Sequence, residues 1–221
     1  MPTKLVQGLQ KLNFPQEQIE RLAPLMESYI NELLLFNSAY NLVNTNDREE
    51  IAVRHILDSL SAARHIKALA GYRNATIADI GSGGGLPGIP LAAALPQYNF
   101  VLVERMSKRC AFLENASAIL GLKNVVVKNL ELEKTPAASF DIATFRAFRP
   151  LDNKMLKSLL AVLKPGGFLA AYKARGSKIL EEMGALGYVP QDYKTIALEV
   201  PFLTDTNSGD DRERNLVVIS K

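Results

Sequence analysis

The period of the apolar positions changes near residue 70. Before it, Ile19, Leu22, Met26, Ile30, Leu33 and Leu34 recur at helical spacing, and Pro15-Gln16-Glu17 supplies a helix start. The pattern fades across Asn37-Ser38-Ala39-Tyr40-Asn41-Leu42-Val43-Asn44. Thr45 or Asp47 is then placed to cap a second helix, with Glu49 and Glu50 in its first turn. Ile51, Ile56, Leu57 and Leu60 form its apolar side, with Arg54, His55, Asp58, Arg64 and His65 interleaved. Taken alone, His55 and Asp58 read as a surface or structural i,i+3 pair. Residues 1–70 are expected to form an N-terminal helical region.

From Thr76 onward short strand-like runs alternate with helical ones. Strands are expected at Ile77–Ile80, Asn99–Val103, Leu122–Lys128, Phe140–Arg146, Phe168–Lys173, Thr195–Val200 and Asn215–Ile219. Helices are expected at Ile89–Leu95, Met106–Leu120, Met155–Leu163 and Ile179–Leu186, the third ending at Lys164-Pro165-Gly166-Gly167. This alternation predicts an α/β domain over 71–221, a mostly parallel sheet with helices on both faces.

The first of these strands runs through Asp79 into Gly81-Ser82-Gly83-Gly84-Gly85-Leu86-Pro87-Gly88 and then into an apolar helix. Strand, glycine loop and helix together turn bare backbone N–H groups and a helix N-terminus toward a ligand. Spacing decides which ligand. Gly83 and Gly88 have the separation of a P-loop, but Ile89 stands where the lysine must be. Gly81 and Gly83 begin a dinucleotide loop, but Leu86 takes the third glycine position. Asp-x-Gly-x-Gly-x-Gly is met in full by Asp79, Gly81, Gly83 and Gly85. It is the first motif of Rossmann-like methyltransferases that use S-adenosylmethionine. The acid agrees: a carboxylate would repel a pyrophosphate, whereas it attracts this cofactor's ammonium and sulfonium, directly or through water. A second acid, Glu104, ends the next strand 23 positions beyond Gly81, near the roughly 20-residue offset of a ribose-binding acid.

Composition narrows the setting. Nearly half of the 221 residues are apolar, yet no run approaches the ~20 residues of a membrane span. One cysteine, Cys110, precludes an internal disulfide and suits a reducing cytoplasm. Two histidines and one cysteine do not suggest a zinc site. A net charge of +3 permits a nucleic-acid partner without demanding one.

In open α/β sheets ligands sit beyond the carboxyl ends of the strands, which selects Gly81–Gly85, Glu104, Leu130–Leu132, Arg146 and Lys173. Glu131 or its neighbours would lie near the adenine. After the fourth strand stands Phe145-Arg146-Ala147-Phe148-Arg149-Pro150, not the Asn/Asp-Pro-Pro-Tyr of amino-group methylases. Pyrimidine-carbon methylation needs a thiolate near the same place, and Cys110 is on another helix, where core packing suits it better. Guanine N-7 fits the composition, because its lone pair is free and no base is required. Arg146 at a strand's carboxyl end could bind O6 or phosphate. Lys173, Arg146, Arg149, Arg212 and Arg214 belong to segments that can reach this face and contact RNA phosphates, the plainer alternative being that Arg212 and Arg214 pair with Asp210, Asp211 and Glu213 in a solvated loop.

The sequence resembles the bacterial small-subunit ribosomal RNA methyltransferases called RsmG, also named GidB. The resemblance runs through Asn37 with Tyr40-Asn41-Leu42, Arg54-His55-Ile56-Leu57-Asp58-Ser59-Leu60, and Asp79 to Leu91. It continues at Lys108-Arg109, Phe112-Leu113, Arg146-Ala147, Tyr172-Lys173 and Glu213 to Ile219. It implies N-7 methylation of one guanosine in the decoding region of 16S rRNA, within the small subunit or an assembly intermediate. It also implies cofactor contacts at Gly81, Leu86, Glu131, Leu132 and Arg146, and a hairpin-like final strand pair. Arg146 and Lys173 are the expected catalytic residues, with Asp79, Gly83, Gly85 and Glu104 completing the cofactor set and Lys173, Arg212 and Arg214 the RNA set. The protein is expected to be a cytoplasmic monomer without metal. The family usually shows Asp-Ser where Glu104-Arg105 stands here, Arg-Ala-Glu or similar near Leu130–Glu133, serine at Phe145 and glycine at Ala174. A methyltransferase for a small molecule or protein, or a non-catalytic binding module, are the other readings.

Overall fold

A computed structural model describes residues 2–71, 74–146, 151–204 and 212–221. Its strands are β1 (Thr76–Ile80), β2 (Asn99–Glu104), β3 (Val125–Asn129), β4 (Phe140–Phe145), β5 (Leu163–Lys173), β6 (Lys194–Ala197) and β7 (Asn215–Ser220). They form one sheet in the order β3-β2-β1-β4-β5-β7-β6. β1 to β5 are parallel, and β7 runs antiparallel between β5 and β6. The sheet is therefore mostly parallel, as the alternation predicts. Because β2 and β4 flank β1 on opposite sides, the connections reverse direction there. That reversal opens a crevice beyond the carboxyl ends of β1 and β4, the usual ligand site of such sheets.

Three strands differ from expectation, and the first of them, β3, begins at Val125 rather than Leu122. β5 begins at Leu163 rather than Phe168: Phe140 pairs with Leu163 and Ile142 with Phe168, so Lys164–Gly167 is a bulge within the ladder. Gly167 is needed there, since an added Cβ would lie 2.9 Å from the Asp141 carbonyl oxygen. Lys164 fastens the bulge through a 2.8 Å ion pair with Asp141. β6 stops at Ala197; Leu198 keeps one bond to the Arg214 carbonyl, and Val200–Thr204 turns away.

The N-terminal region contains α1 (Lys4–Lys11), α2 (Gln16–Tyr40), α3 (Arg48–Ile51), a π-helical turn (Ala52–Leu57), α4 (Asp58–Ser61) and α5 (Ala63–Ala70). α2 runs beyond the point where its apolar pattern fades and ends at Asn41, whose φ of 50° breaks the helix. Asn37 organises the exit: its Oδ1 accepts from the N–H groups of Leu42 and Val43, and its Nδ2 donates to Asn46 Oδ1. Of the two candidate caps, Asp47 is the one, accepting from the Glu50 N–H at 2.7 Å. The remaining helices are α6 (Gly88–Ala94), α7 (Ser107–Ile119), α8 (Asn153–Val162) and α9 (Gly176–Ala185).

Successive residues of each strand face opposite sides, and each side has its own cover. Ile77, Phe100, Leu102, Ile142, Tyr172 and Leu216 pack with Leu22, Met26, Tyr29, Ile56, Leu91 and Phe112 from the N-terminal helices, α6 and α7. Ala78, Ile80, Val103, Ala143, Phe145 and Leu169 pack with Met155, Leu159, Ile179 and Met183 from α8 and α9. Each large apolar side chain so buried contributes roughly 1.5–3 kcal/mol. The N-terminal helices thus roof one face of the sheet and share its core.

Candidate functional site

The glycine loop joins β1 to α6 and is fixed from three sides. From β2, the Val103 carbonyl accepts from the N–H groups of Gly81 and Ser82 at 2.8 and 3.1 Å. From β1, Asp79 Oδ2 accepts from Ser82 Oγ at 2.7 Å and from the Gly88 N–H at 2.9 Å, tying the two ends of the loop together. From α2, the Tyr29 hydroxyl donates to the Gly84 carbonyl. Gly81 and Gly85 have φ of 68° and 87°, where a Cβ is disfavoured. At Gly88 an added Cβ would lie 2.6 Å from Asp79 Oδ2.

In front of the loop a cavity of about 500 Å³ opens at the carboxyl ends of β1, β2 and β4. Ile80, Gly81, Val103, Leu130, Leu132 and Met155 supply most of its apolar wall, and Glu104, Arg109, Glu131 and Arg146 its polar one. Its volume is within the ~300–1,000 Å³ of small-molecule sites. Glu104 is buried at its back: Oε2 accepts from the Gly83 N–H at 3.0 Å and Oε1 from the Met106 N–H at 2.9 Å. A carboxylate oxygen has lone pairs for more than one hydrogen bond, so each has capacity left for a ribose hydroxyl. An apolar slot for a base, an acid for the ribose and a glycine loop beside them fit S-adenosylmethionine.

Five of the expected cofactor residues line this cavity: Gly81, Glu104, Glu131, Leu132 and Arg146. Asp79, Gly83, Gly85 and Leu86 stand behind it. Asp79 is fully buried, and burial raises its carboxyl pKa to about 6. The acid expected to meet the cofactor's ammonium is a brace for the loop. Motif spacing locates such an acid but does not say which way it points. Met155 and Arg109 also line the wall, and nothing in the sequence set them apart as cofactor contacts. The Arg109 guanidinium is anchored by the Asn41 carbonyl at 3.2 Å. Cys110 is buried outside the wall, with Sγ 3.2 Å from the Glu104 carbonyl oxygen.

Arg146 is held by the π-helical turn and the residue after it. Its Nη1 donates to the Arg54 carbonyl at 3.0 Å and to Asp58 Oδ2 at 2.8 Å, and its Nη2 lies 3.1 Å from His55 Nδ1. Asp58 is 4% exposed and also faces Arg214, whose Nε is 3.5 Å from Oδ1. His55 and Asp58 are therefore not a surface pair: both turn inward onto arginines far along the chain. Burial and then the nearby guanidinium of Arg146 lower the His55 pKa to about 3.

The other described basic candidates, Lys173, Arg212 and Arg214, are not part of the cavity wall. Lys173 forms a 2.8 Å ion pair with Glu182 on α9 and sits 5.6 Å from the centre of the Phe145 ring. It borders a separate hollow of about 230 Å³, so the structure does not bring it together with Arg146. Arg214 donates to the Glu213 carbonyl and turns toward Asp58; Arg212 is half-buried nearby in sequence. Arg149 lies outside the described residues, as do Ala147 and Phe148. A larger cavity, about 650 Å³, lies between α1, α2, α5 and the loop after α6, with no residue of the glycine loop in its wall. Among the described residues no group of three His, Cys, Asp or Glu side chains could hold a metal, and no helix is long and apolar enough to cross a membrane.

Comparison with known proteins bears on the family and the fold. A family model, GidB, described as rRNA small subunit methyltransferase G, matches residues 22–215. A ribosomal RNA small subunit methyltransferase G of Treponema denticola is 39% identical, with 98% of this chain and 93% of that protein aligned. Its namesake from Neisseria meningitidis (serogroup A strain) is 36% identical over 88% of this chain and 86% of its own. Among solved structures, a SAM-dependent methyltransferase from Aquifex aeolicus superposes with a TM-score of 0.54 at 16% identity, covering 74% of this chain and 92% of that one. The tRNA (m1A58) methyltransferase TrmI from the same organism gives 0.55 at 14% identity, covering 75% and 68%. These two likenesses concern the fold.

Proposed function

The chain belongs to the GidB family, rRNA small subunit methyltransferase G, and on that premise we propose that it methylates N-7 of a guanosine in 16S rRNA. The observation that carries the reading is the pairing of a ribose-type acid, Glu104, with a fixed guanidinium, Arg146, across one cavity at the switch point of the sheet. S-adenosylmethionine, when bound there, supplies an electrophilic methyl group. The chain's own residues then have a positioning task, because guanine N-7 has a free lone pair and no proton must be removed. Holding reacting atoms in line is a large source of acceleration in such transfers.

In this reading Gly81, Glu104, Glu131 and Leu132 hold the cofactor against the carboxyl ends of β1 and β2. Arg146, fixed by Asp58, Arg54 and His55, faces the same space and can donate to guanine O6 or to a phosphate. It does so without competing for N-7. Asp79, Gly83, Gly85 and Leu86 act from behind by shaping the loop. Lys173, held by Glu182, and Arg212 and Arg214 near the start of β7 serve the RNA backbone at this end of the sheet. The substrate is the rRNA within the small subunit or an assembly intermediate, and the protein acts as a cytoplasmic monomer without metal.

Mass mapping of 16S rRNA from cells with and without the gene tests the reading. One guanosine should lose its N-7 methyl group in the deletion and regain it when purified protein and S-adenosylmethionine are added to small subunits. An identical methylation map in both cells would overturn it.

A further inference from the structure

The Arg146 guanidinium reaches the cavity from β4, but the groups that aim it belong to a different part of the chain. One helical turn, Arg54 to Asp58, presents three acceptors to it: a carbonyl, a carboxylate and an imidazole nitrogen. The π-helical geometry makes this possible. The Asp58 N–H donates to the Val53 carbonyl, a five-residue step, and also to the His55 carbonyl. The Arg54 carbonyl, passed over by the Asp58 N–H, accepts from Arg146. Wide turns of this kind are frequently found at functional sites.

The imidazole is the most informative of the three. A guanidinium has donors and no acceptor, so the His55 atom 3.1 Å from Nη2 must offer a lone pair. His55 is then neutral, with Nδ1 bare and the proton on Nε2. Nε2 is buried with no hydrogen-bond partner among the described residues. Among the described residues the guanidiniums that act on the ring are Arg146, Arg54 and Arg214, the first and last sharing the Asp58 carboxylate and Arg54 pairing with Glu50. Burial first, and then the guanidiniums of Arg146, Arg54 and Arg214, keep a second proton off the ring.

We propose that His55 is a positioning residue for the methyl transfer, orienting Arg146 toward the substrate by accepting a hydrogen bond through Nδ1. The proposal rests on the role given to Arg146 above. Asp58 supplies charge and Arg54 a fixed carbonyl, but among the described residues His55 is the one that engages the second terminal nitrogen. Without it that nitrogen loses its anchor and the guanidinium can pivot about the Asp58 contact.

The test uses the different reach of two amides. An asparagine Oδ1 can occupy the place of Nδ1, and a glutamine Oε1 that of Nε2. Single-turnover methylation of small subunits would be followed at saturating S-adenosylmethionine for His55→Leu, His55→Gln and His55→Asn. A hydrogen bond to a charged group corresponds to roughly 10- to 150-fold, so Leu and Gln should slow the step by that factor. His55→Asn should recover most of the loss, with subunit binding similar in all three. Rescue by Gln instead of Asn, or equal rates in all variants, would overturn the proposal. Arg146→Ala separates the two layers. A normal rate in that variant defeats the role of Arg146. An impaired Arg146→Ala beside fully active His55→Leu and His55→Gln defeats only the role of His55. The intact protein gives an independent reading through the nitrogen-15 shifts of the His55 ring. Nε2 should carry the proton and Nδ1 should stay bare from about pH 5 to 8, where an ordinary imidazole titrates. A protonated Nδ1 at any point in that range would overturn the proposal whether or not the variants fold.

Discussion

Tyr29, in the middle of the long N-terminal helix, donates its hydroxyl hydrogen to the carbonyl of Gly84 in the glycine loop. The two residues are far apart in sequence, and the tyrosine is fully buried. Tyr29→Phe keeps the ring in the core and leaves the Gly84 carbonyl without its donor. An unsatisfied buried acceptor costs about 1–3 kcal/mol, so the thermal midpoint should fall. S-adenosylhomocysteine should also bind several-fold more weakly in calorimetry, because the loop loses a restraint. Wild-type values of both would show that the contact is incidental.

Glu104 has a double task, and its replacement should cost more than a ribose contact alone. The carboxylate fixes the Gly83 and Met106 N–H groups as well as facing the cavity. Glu104→Ala should weaken S-adenosylhomocysteine binding at least 10- to 150-fold, the range of about 1.5–3 kcal/mol for one charged hydrogen bond. Titration calorimetry showing unaltered affinity would remove Glu104 from the cofactor site.

Asp79 predicts a pH dependence of stability with an unusual sign. Its folded pKa, about 6, is above the ordinary 3.8 because burial penalises the charge. The folded protein therefore holds this proton more tightly than the unfolded chain. Between about pH 4 and 6 this group's contribution is lost as the pH rises, up to about 3 kcal/mol. Asp79→Asn keeps an oxygen able to accept from Ser82 and Gly88 and carries no charge. Denaturant unfolding should show the variant equal or more stable above pH 6, with this falling component gone. A variant with the wild-type pH slope would contradict the assignment.

The site was legible in the sequence where spacing alone defines geometry. Asp79, the glycines and Glu104 sit at a strand end and a loop, so local rules place them at one edge of the sheet. Direction was less legible than position. The same rules put Asp79 beside the cofactor, although Ser82 and Gly88 draw it inward. What escaped entirely were pairings across long separations. Tyr29 with Gly84, and His55 and Asp58 with Arg146, depend on how the N-terminal helices roof the sheet, and no local pattern encodes that docking. The bulge of β5 was hidden for another reason: Pro165-Gly166-Gly167 stops a helix, and the same residues tolerate an irregular strand.

Methyl transfer to guanine N-7 should be nearly independent of pH. With no proton to abstract, the single-turnover rate should stay flat from about pH 6.5 to 8.5, where a tuned base would titrate. Arg146→Ala should lower the rate without adding a pH dependence. A rise of slope one in the chemical step would indicate a base and exclude this account.

Arg212 tests the RNA face. Each phosphate contact contributes ~0.7–0.9 to the slope of log affinity against log salt. Arg212→Ala should make that slope shallower by about this amount when binding to small subunits is titrated at several salt concentrations. Affinity for S-adenosylhomocysteine should barely change. An unaltered slope would take Arg212 out of the RNA site.

The place of β7 between β5 and β6 dictates an order of assembly. Among the described residues β6 pairs with β7 alone, so the earlier strand has no seat in the sheet until the later one arrives. β5 meanwhile carries an open row of N–H and C=O groups along the edge that β7 will cover. The β5–β7 pairs, from Lys173 with Asn215 to Phe168 with Ser220, join positions 42 to 52 apart in sequence, a non-local pattern that slows folding. Until β7 docks, that edge of β5 is open to pairing with a second copy of the newly made protein.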